Sequence, residues 1–62
     1  MKVNDLIRID RRLGRVLSCS STLCSGVELF SATVSFDGRK TFVWGHFRLR
    51  HGVWCRYDPF SS

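Results

Sequence analysis

The chain alternates apolar and polar residues with a period of two along most of its length, and helical periodicity is poor throughout. The alternating stretches are rich in Val, Ile, Thr and aromatic residues and are bounded by breaks that mostly contain Gly, which is typical of β-strands. This pattern predicts an all-β protein. The predicted strands are Val3–Ile9, Gly14–Cys19, Val27–Phe36, Lys40–Leu49 and Val53–Tyr57.

Four connections join these strands: Asp10–Leu13, a loop in the serine-rich segment Ser18–Ser25, a two-residue turn at Asp37-Gly38, and a turn at Arg50–Gly52. Short strands joined by one longer loop and tight turns predict a single domain over residues 1–62, folded as a five-stranded small SH3-like β-barrel. Closing the sheet would remove the exposed edges that so small a chain could hardly protect in another way.

The third predicted strand fixes the orientation of the fourth. Its apolar positions (Phe30, Ala32, Val34 and Phe36) alternate with Ser and Thr, which indicates one buried and one wet face. Asp-Gly is a strong signal for a type I′ hairpin turn, so Phe36 should pair with Arg39 and Phe30 with Gly45. Paired residues point to the same side of a sheet. The residues predicted to face the core from the fourth strand are therefore Val43, Gly45, Phe47 and Leu49.

The last hairpin has two possible registers. A three-residue loop at Arg50–Gly52 pairs Leu49 with Val53 and Phe47 with Cys55, and it leaves Trp54 on the outer face. A two-residue His-Gly turn would instead put Trp54 inside, beside Leu49. We favour the three-residue loop, because it keeps both faces consistent and places Gly52 in the left-handed conformation.

On this register the outer face gathers aromatic and cationic side chains. Aromatic rings on a β-surface can stack on unpaired bases, and arginines can hold phosphates and make binding salt-dependent. A second small core, covered by Leu23 or Phe60, is the alternative for the rings on this face, and a protein-binding patch would have the same composition. The candidate nucleic-acid-binding residues are Lys40, Phe42, Trp44, His46, Arg48, Arg50, Trp54 and Arg56.

The charge balance bears on the partner. Ten Lys and Arg residues against five Asp and Glu give a net charge of +5, which favours a polyanionic partner such as nucleic acid. Small basic proteins without such a partner are also common. No apolar run approaches the roughly 18 residues of a membrane span, and the N-terminus has charges where a signal peptide would be apolar. We therefore expect a soluble, cytoplasmic protein with no membrane partner.

The cysteines and histidines offer limited chemistry. The three cysteines are an odd number, and reduced thiols are expected. Cys19, Cys24, His51 and Cys55 could form a structural zinc site. Their spacing is wider than usual and the predicted register buries Cys55, so no metal and no other cofactor is expected. Because no catalytic arrangement or Gly-rich phosphate loop stands out, the protein is expected to be non-enzymatic.

The N-terminal stretch VNDLIRIDRRLGRVL resembles the start of KOW domains and other SH3-like barrels. The shared pattern is a polar turn (Asn4-Asp5), an alternating strand (Leu6–Ile9), a charged loop (Asp10–Arg12) and a Gly-x-Val opening of the next strand (Gly14–Val16). The glycine that normally precedes the aspartate is Asn4 here. The resemblance covers this stretch alone and implies a barrel that binds RNA, DNA or protein.

Together these features predict a nucleic-acid-binding small barrel that contacts single strands or the backbone of DNA or RNA. The opening residues of the chain and the terminal sequence Arg56-Tyr57-Asp58-Pro59 are faintly similar to parts of some bacterial transposase subunits. The predicted role is that of an accessory protein of a phage or mobile element. The alternative is a protein-interaction module, such as a small inhibitor or assembly subunit that docks on a host protein. The oligomeric state is left open.

Overall fold

Six β-strands make up the structure, a computed structural model that describes residues 1–61. The all-β prediction is confirmed. The strands are β1 (Leu6–Ile9), β2 (Arg12–Cys24), β3 (Val27–Phe36), β4 (Arg39–Gly45), β5 (Phe47–Arg50) and β6 (Val53–Arg56).

The six strands form one sheet in the order β4-β3-β2-β1-β6-β5. All neighbours are antiparallel except β1 and β6, which run parallel with Ile7 beside Trp54. The predicted five-stranded SH3-like barrel is not confirmed, because there are six strands and the hydrogen-bonded sheet is not closed. Its open edges are β4 and β5, although only His46 separates these two strands in the sequence.

Four two-residue turns connect the antiparallel pairs, and both residues of each turn have positive φ. They are Asp10-Arg11, Ser25-Gly26, Asp37-Gly38 and His51-Gly52. Positive φ at both positions defines the type I′ turn, whose twist matches that of the flanking strands. The prediction for Asp37-Gly38 is confirmed, and so is the β3–β4 register from Phe36–Arg39 to Phe30–Gly45.

The serine-rich segment Ser18–Ser25 is not a loop, contrary to the prediction. Its residues as far as Cys24 belong to β2 and pair with β3, and only Ser25 and Gly26 turn. Composition was misleading here because β3 is ten residues long and its backbone groups need a partner along that length. Serine side chains on the outer face of the pair cost nothing, since they stay in contact with water.

The first strand begins later than predicted. Residues 3–5 form a turn in which Asn4 has a φ of 75°, the Lys2 amide donates to Asp5 Oδ2 at 2.9 Å, and the Asp5 amide donates to the Lys2 carbonyl at 3.1 Å. Asn is among the residues that tolerate positive φ. The turn still pairs with β2, since the Asn4 amide donates to the Val16 carbonyl at 2.8 Å.

The predicted fourth strand, Lys40–Leu49, is broken into β4 and β5 at Gly45 and His46. Gly45 has a φ of 153°, a conformation that favours glycine. His46 Nδ1 lies 2.8 Å from the Glu28 carbonyl, and because a carbonyl only accepts, this nitrogen carries the proton and donates it. The Tyr57 amide in turn donates to the His46 carbonyl at 3.0 Å, which fixes the bend on both sides.

The β5–β6 hairpin has the two-residue turn, so the favoured three-residue loop was wrong. Arg50 pairs with Val53, and Leu49 pairs with Trp54. A slip of one residue in register moves every side chain of a strand to the other face. Trp54 therefore points inward, while Cys55, which was predicted to be buried, is opposite exposed Arg48 on the outer face.

The core lies on the inner face of the sheet. Most residues predicted to form it are buried, but Leu49, at the edge strand next to a turn, is 57% exposed and the prediction that it belongs to the core was wrong. Met1, Ile9, Cys19 and Trp54 pack around the core and are partly buried. The buried hydrophobic residues are Ile7, Val16, Phe30, Ala32, Val34, Phe36, Val43 and Phe47.

Candidate nucleic-acid interface

Two aromatic rings stand on the outer face of the β3–β4 hairpin. Phe42 is 61% exposed and Trp44 is 66% exposed, as the confirmed register requires. They lie opposite Thr33 and Ser31, respectively, whose short side chains leave the rings uncovered on that side. The alternative of a second core is therefore wrong. Leu23 is itself 71% exposed, and Phe60 stacks edge-on against His46. We call Ser31, Thr33, Lys40, Phe42 and Trp44 the aromatic face.

Shallow grooves run along the aromatic face. One, with a volume of about 310 Å³, is lined by Phe42 and Trp44 together with Ser20, Ser31 and neighbouring residues of β2 and β3. Another, of about 210 Å³, continues past Phe42 to Thr33. Ser20 and Ser31 lie in both grooves and their hydroxyls are hydrogen-bonded to each other at 2.7 Å. The floor beside the rings therefore offers hydroxyl groups that can donate or accept.

The charges on the two faces of the sheet are unequal. Strand residues that point outward, by their pairing and the alternation along each strand, include several cations. All five acidic side chains lie elsewhere: Asp5 precedes β1, Asp10 and Asp37 are in turns, Glu28 is on the Phe30 side of β3, and Asp58 follows β6. The outer-face cations are Arg8, Arg15, Lys40, Arg48 and Arg50.

Trp54 does not belong to this face, contrary to the prediction. Its ring is half-buried, with its centroid 5.4 Å from that of Phe30, and its indole Nε1 donates to Asp5 Oδ2 at 2.9 Å. The pKa of Asp5 is lowered by the hydrogen bond from the Lys2 amide and, next, by the bond from Trp54. Trp54 thus ties β6 to the N-terminal turn.

Arg56 and His46 also depart from their predicted places. Arg56 points to the inner side, where its guanidinium carbon lies 5.4 Å from the centre of the Phe47 ring, and its Nη2 donates to the Trp44 carbonyl at 3.1 Å. His46 is held by Glu28 and Phe60, as described above. Both residues hold the break between β4 and β5 in place, and both line the groove beside Trp44.

Arg48 and Arg50 point outward as predicted, but from the other end of the sheet. They lie on β5, an edge strand, whereas the aromatic rings lie on β4, the opposite edge. The Arg48 guanidinium carbon is 5.1 Å from the centre of the Tyr57 ring. Of the eight predicted residues, Lys40, Phe42 and Trp44 share the outer face of β4. His46 and Arg56 line a groove with Phe42 and Trp44 at the free edge of β4. Arg48, Arg50 and Trp54 belong to other strands and do not line this groove.

The alternative zinc ligands are not brought together. Cys24 lies at the tip of the β2–β3 hairpin and His51 in the β5–β6 turn. Cys19 is on the inner side, where its thiol donates to the Met1 carbonyl at 3.3 Å. Within residues 1–61 no three His, Cys, Asp or Glu side chains are grouped as metal ligands would be. All three cysteines are free thiols.

Sequence reasoning missed a second exposed apolar surface on β1 and β2, which we call the leucine patch. Leu6, Leu13 and Leu17 are 36%, 51% and 36% exposed and surround a depression of about 410 Å³ that also contacts Arg15 and Ser35. Leu17 reaches it because a β-bulge follows Val16 and inserts an extra residue into β2. In the sequence, the alternation of Leu6 with Ile7 indicates that Leu6 points to the outer face. No feature of the sequence indicates the β-bulge that brings Leu17 to the patch.

Comparisons of the chain with protein-family models, curated proteins and solved structures find no match. The resemblance of the N-terminal stretch to KOW and SH3-like barrels therefore stays a prediction. In the described part of the chain, no helix is long and apolar enough to cross a membrane.

Proposed function

We propose that the protein is a non-enzymatic nucleic-acid-binding protein that holds single-stranded DNA or RNA on its aromatic face. The observation that carries the proposal is the exposure of Phe42 and Trp44 side by side on the outer face of the sheet, where the charged strand residues of the described chain are all cationic. A domain of this size has little apolar surface to spare, so two large rings left in water are costly unless they have a ligand.

The spacing of the rings suits stacking. Residues two apart on a strand lie on the same face, about 6.8 Å from each other. Two consecutive bases that are no longer stacked on each other can therefore each pack against one ring. Base stacking on an aromatic side chain contributes about 1–3 kcal/mol per base and depends little on sequence. The hydroxyls of the groove floor, on Ser20 and Ser31, lie where the edges of stacked bases can reach them.

The cations supply the sequence-independent part of the affinity. Lys40 lies on the aromatic face itself, and Arg15 lies in the same row across the sheet, because Ser35 pairs with both residues. A strand that stacks on the outer face of β4 would keep its phosphates near these cations, whereas the carboxylate of Asp58 lines the groove at the free edge of β4. Binding is therefore expected to weaken as salt concentration rises, because counterions released from the backbone drive part of it.

A fluorescence titration tests the proposal. In a Trp54→Phe background, Trp44 is the only tryptophan, so quenching by an oligothymidylate reports contact with this ring alone. We expect saturable quenching that weakens at higher salt, with a smaller effect from a duplex of equal length. Phe42→Ala should lower the affinity by roughly 5- to 150-fold, which corresponds to the loss of one stacked base. Lys40→Ala should also reduce the slope of log affinity against log salt by roughly one counterion.

Leu49→Ala is the matched control, because Leu49 is as exposed as Phe42 but lies on the opposite edge of the sheet. It should leave the affinity unchanged. Absence of saturable binding to single-stranded DNA and RNA at low salt would contradict the proposal. Binding of duplex and single strand with equal affinity and no quenching would indicate backbone contact without stacking.

The leucine patch supports a second candidate, a protein-interaction module. Its three leucines surround a depression that Arg15 also lines, and Arg8 pairs with Leu13 on the neighbouring strand. Apolar side chains flanked by arginines are common at protein interfaces. A leucine side chain can neither stack on a base as an aromatic ring does nor bind a phosphate as an arginine does, so the patch fits a protein partner better than a nucleic acid. If Leu13→Lys abolishes binding to a host protein while oligonucleotide binding is unaffected, the two surfaces have separate partners.

A further inference from the structure

The free edge of β4 has backbone groups without a strand partner. Arg56 Nη2 donates to the Trp44 carbonyl, which therefore points away from β3. Along a strand, successive residues direct their N–H and C=O groups to opposite sides, so the groups of Lys40 and Phe42 also point away from β3. Phe42 lines a groove of about 580 Å³ between β4 and the segment that contains Tyr57 and Asp58, and Lys40 lies beyond the end of this groove.

The two open edges of the sheet differ in protection. Natural proteins guard edge strands with charged residues, prolines or bulges, since an unguarded edge pairs with another chain. The β5 edge carries Arg48 and Arg50 at alternate positions. β4 begins with Arg39, which is on the inner face, and Lys40, which is on the outer face. Its positions from Thr41 to Gly45 (TFVWG) contain neither a charge nor a proline, and Arg56 covers a single carbonyl. The β4 edge is thus the one open to pairing.

We propose that a second copy of this chain pairs antiparallel along β4, about a two-fold axis at Thr41. This register places Lys40 opposite Phe42 of the second copy and Phe42 opposite Lys40 of the second copy. Each such pair exchanges two backbone hydrogen bonds, which satisfies the N–H and C=O groups of Lys40 and Phe42 in both copies. The bond from Arg56 to the Trp44 carbonyl is left in place.

The side chains of this register are complementary. Lys40 and Phe42 lie on the outer face, so each ammonium group meets the ring of Phe42 in the other copy, an attractive cation–π arrangement. A β5 edge paired with itself would instead bring arginines together. The joined sheets present the aromatic faces of both copies as one surface. The contact is small, so the dimer should form reversibly at high concentration. It does not depend on the proposed nucleic-acid binding.

Sedimentation equilibrium without nucleic acid tests the dimer. The wild type should move from the mass of one chain towards that of two as concentration rises. Phe42→Lys should abolish association, because it opposes two ammonium groups in each pair. Phe42→Glu removes the same ring but sets a carboxylate opposite Lys40 of the other copy, and it should associate at least ten times more tightly than Phe42→Lys. Both variants lose the ring, but Phe42→Glu should lose more oligonucleotide affinity than Phe42→Lys, because it adds a negative charge beside the phosphates. The order of the two variants is therefore opposite in the two assays, which separates this proposal from the proposed function.

Amide hydrogen exchange locates the contact in the unmodified protein. Exchange at Lys40 and Phe42 should slow as concentration rises, while Thr41 and Val43, already paired with β3, should not change. Leu49→Lys, on the other edge, should associate like the wild type. A monomer at every concentration would overturn the proposal. Equal association of Phe42→Lys and Phe42→Glu, or loss of association in Leu49→Lys, would also overturn it.

Discussion

Strand β4 and the β5–β6 hairpin each carry one phenylalanine and one tryptophan, and the two pairs have opposite surroundings. On β4, Phe42 and Trp44 are 61% and 66% exposed. On β5 and β6, Phe47 is buried and Trp54 is half-buried against Phe30. Side-chain type therefore does not decide which aromatic residues form the core. Register decides it, since odd positions of β4 and β5 and even positions of β6 face inward.

The contrast also separates two roles for large rings in a very small protein. Phe47 and Trp54 connect the two ends of the sheet: their rings approach Phe30 of β3 from β5 and β6, with centroid distances of 6.4 and 5.4 Å. These contacts join β3 to β5 and β6, strands that no hydrogen-bonded ladder connects directly. Phe42 and Trp44 make no comparable contribution to the core, and their exposure is what makes them available to a ligand.

The largest expected effect comes from the two phenylalanines. Phe47→Ala should lower the free energy of unfolding by about 3–5 kcal/mol, because it removes a buried ring and leaves a cavity. That loss is a large fraction of the stability of a domain of this size. Phe42→Ala should change it by less than about 0.5 kcal/mol. Urea unfolding followed by circular dichroism measures both, and similar losses would show that the two strands do not differ as described.

Truncation of Trp54 should have the next largest effect. Its ring is only half-buried, so Trp54→Ala should cost about 2–3 kcal/mol, somewhat below the range for fully buried aromatic residues. Trp54→Phe keeps most of the contact with Phe30 and loses the hydrogen bond to Asp5, so its cost should be close to 1 kcal/mol. Thermal unfolding of the two variants beside the wild type separates packing from hydrogen bonding. Equal melting temperatures would mean that packing of the ring contributes little.

The turns of the two hairpins should behave alike. Gly38 and Gly52 have φ values of 82° and 78°, and a Cβ added at either would meet no atom within 4 Å. Each Gly→Ala substitution should therefore cost about 1 kcal/mol from backbone strain alone. Chemical denaturation of both variants checks this. A much larger loss at Gly52 would indicate that the β5–β6 turn, and not the strand register, determines where Trp54 lies.

The sequence predicted the turn and the register of the β3–β4 hairpin correctly, although not the end of β4. It failed on the register of the β5–β6 hairpin for an identifiable reason. In β3 the alternation of Phe30, Ala32, Val34 and Phe36 with small polar residues has one interpretation, and Asp-Gly selects one turn. In β5 and β6 almost every residue is aromatic, cationic or aliphatic, so both registers give two plausible faces. What selects the two-residue turn is long-range: β6 pairs in parallel with β1, which sets Trp54 beside Ile7 and Asp5.

The same limits apply to the candidate site. Phe42, Trp44 and Lys40 could be placed together because they share one hairpin with β3. Trp54 and Arg56 were predicted to join them through the wrong register. Arg48 and Arg50 keep the predicted orientation but lie on the opposite edge, since the sheet does not close as a barrel would. The bulge that brings Leu17 to the leucine patch has no sequence signal, because any residue can occupy it.

The Asp5–Trp54 hydrogen bond should have a smaller effect on stability, which should be seen in how the melting temperature depends on pH. The pKa of Asp5 in the folded protein is below its ordinary value of 3.8, with the Lys2 amide as the first cause and Trp54 as the second. The ionised form is therefore favoured by folding. This contribution is fully present above the ordinary pKa and is lost as pH falls through the lowered one. Asp5→Asn should flatten the fall of melting temperature on acidification below pH 3.8, and Trp54→Phe should flatten it in part. If the melting temperatures of the wild type, Asp5→Asn and Trp54→Phe fall identically on acidification, ionised Asp5 does not stabilise the folded protein.

The smallest expected effect on stability is that of Trp44→Ala, and it is the sharpest test of the contrast. A ring that is two-thirds exposed buries little apolar surface in the free protein, so its loss should change the free energy of unfolding by less than about 0.5 kcal/mol. The Trp44 carbonyl, which accepts from Arg56, is a backbone group and survives the substitution. Thermal unfolding of Trp44→Ala beside Trp54→Ala therefore compares the same chemical change in two environments. Similar losses in both would mean that Trp44 supports the fold, and its exposure would then no longer argue for a ligand. If Trp44→Ala is stable but no longer binds single strands, the ring contributes to binding and not to the fold. The physical reason is that the face of the ring loses its contact with water only in the complex.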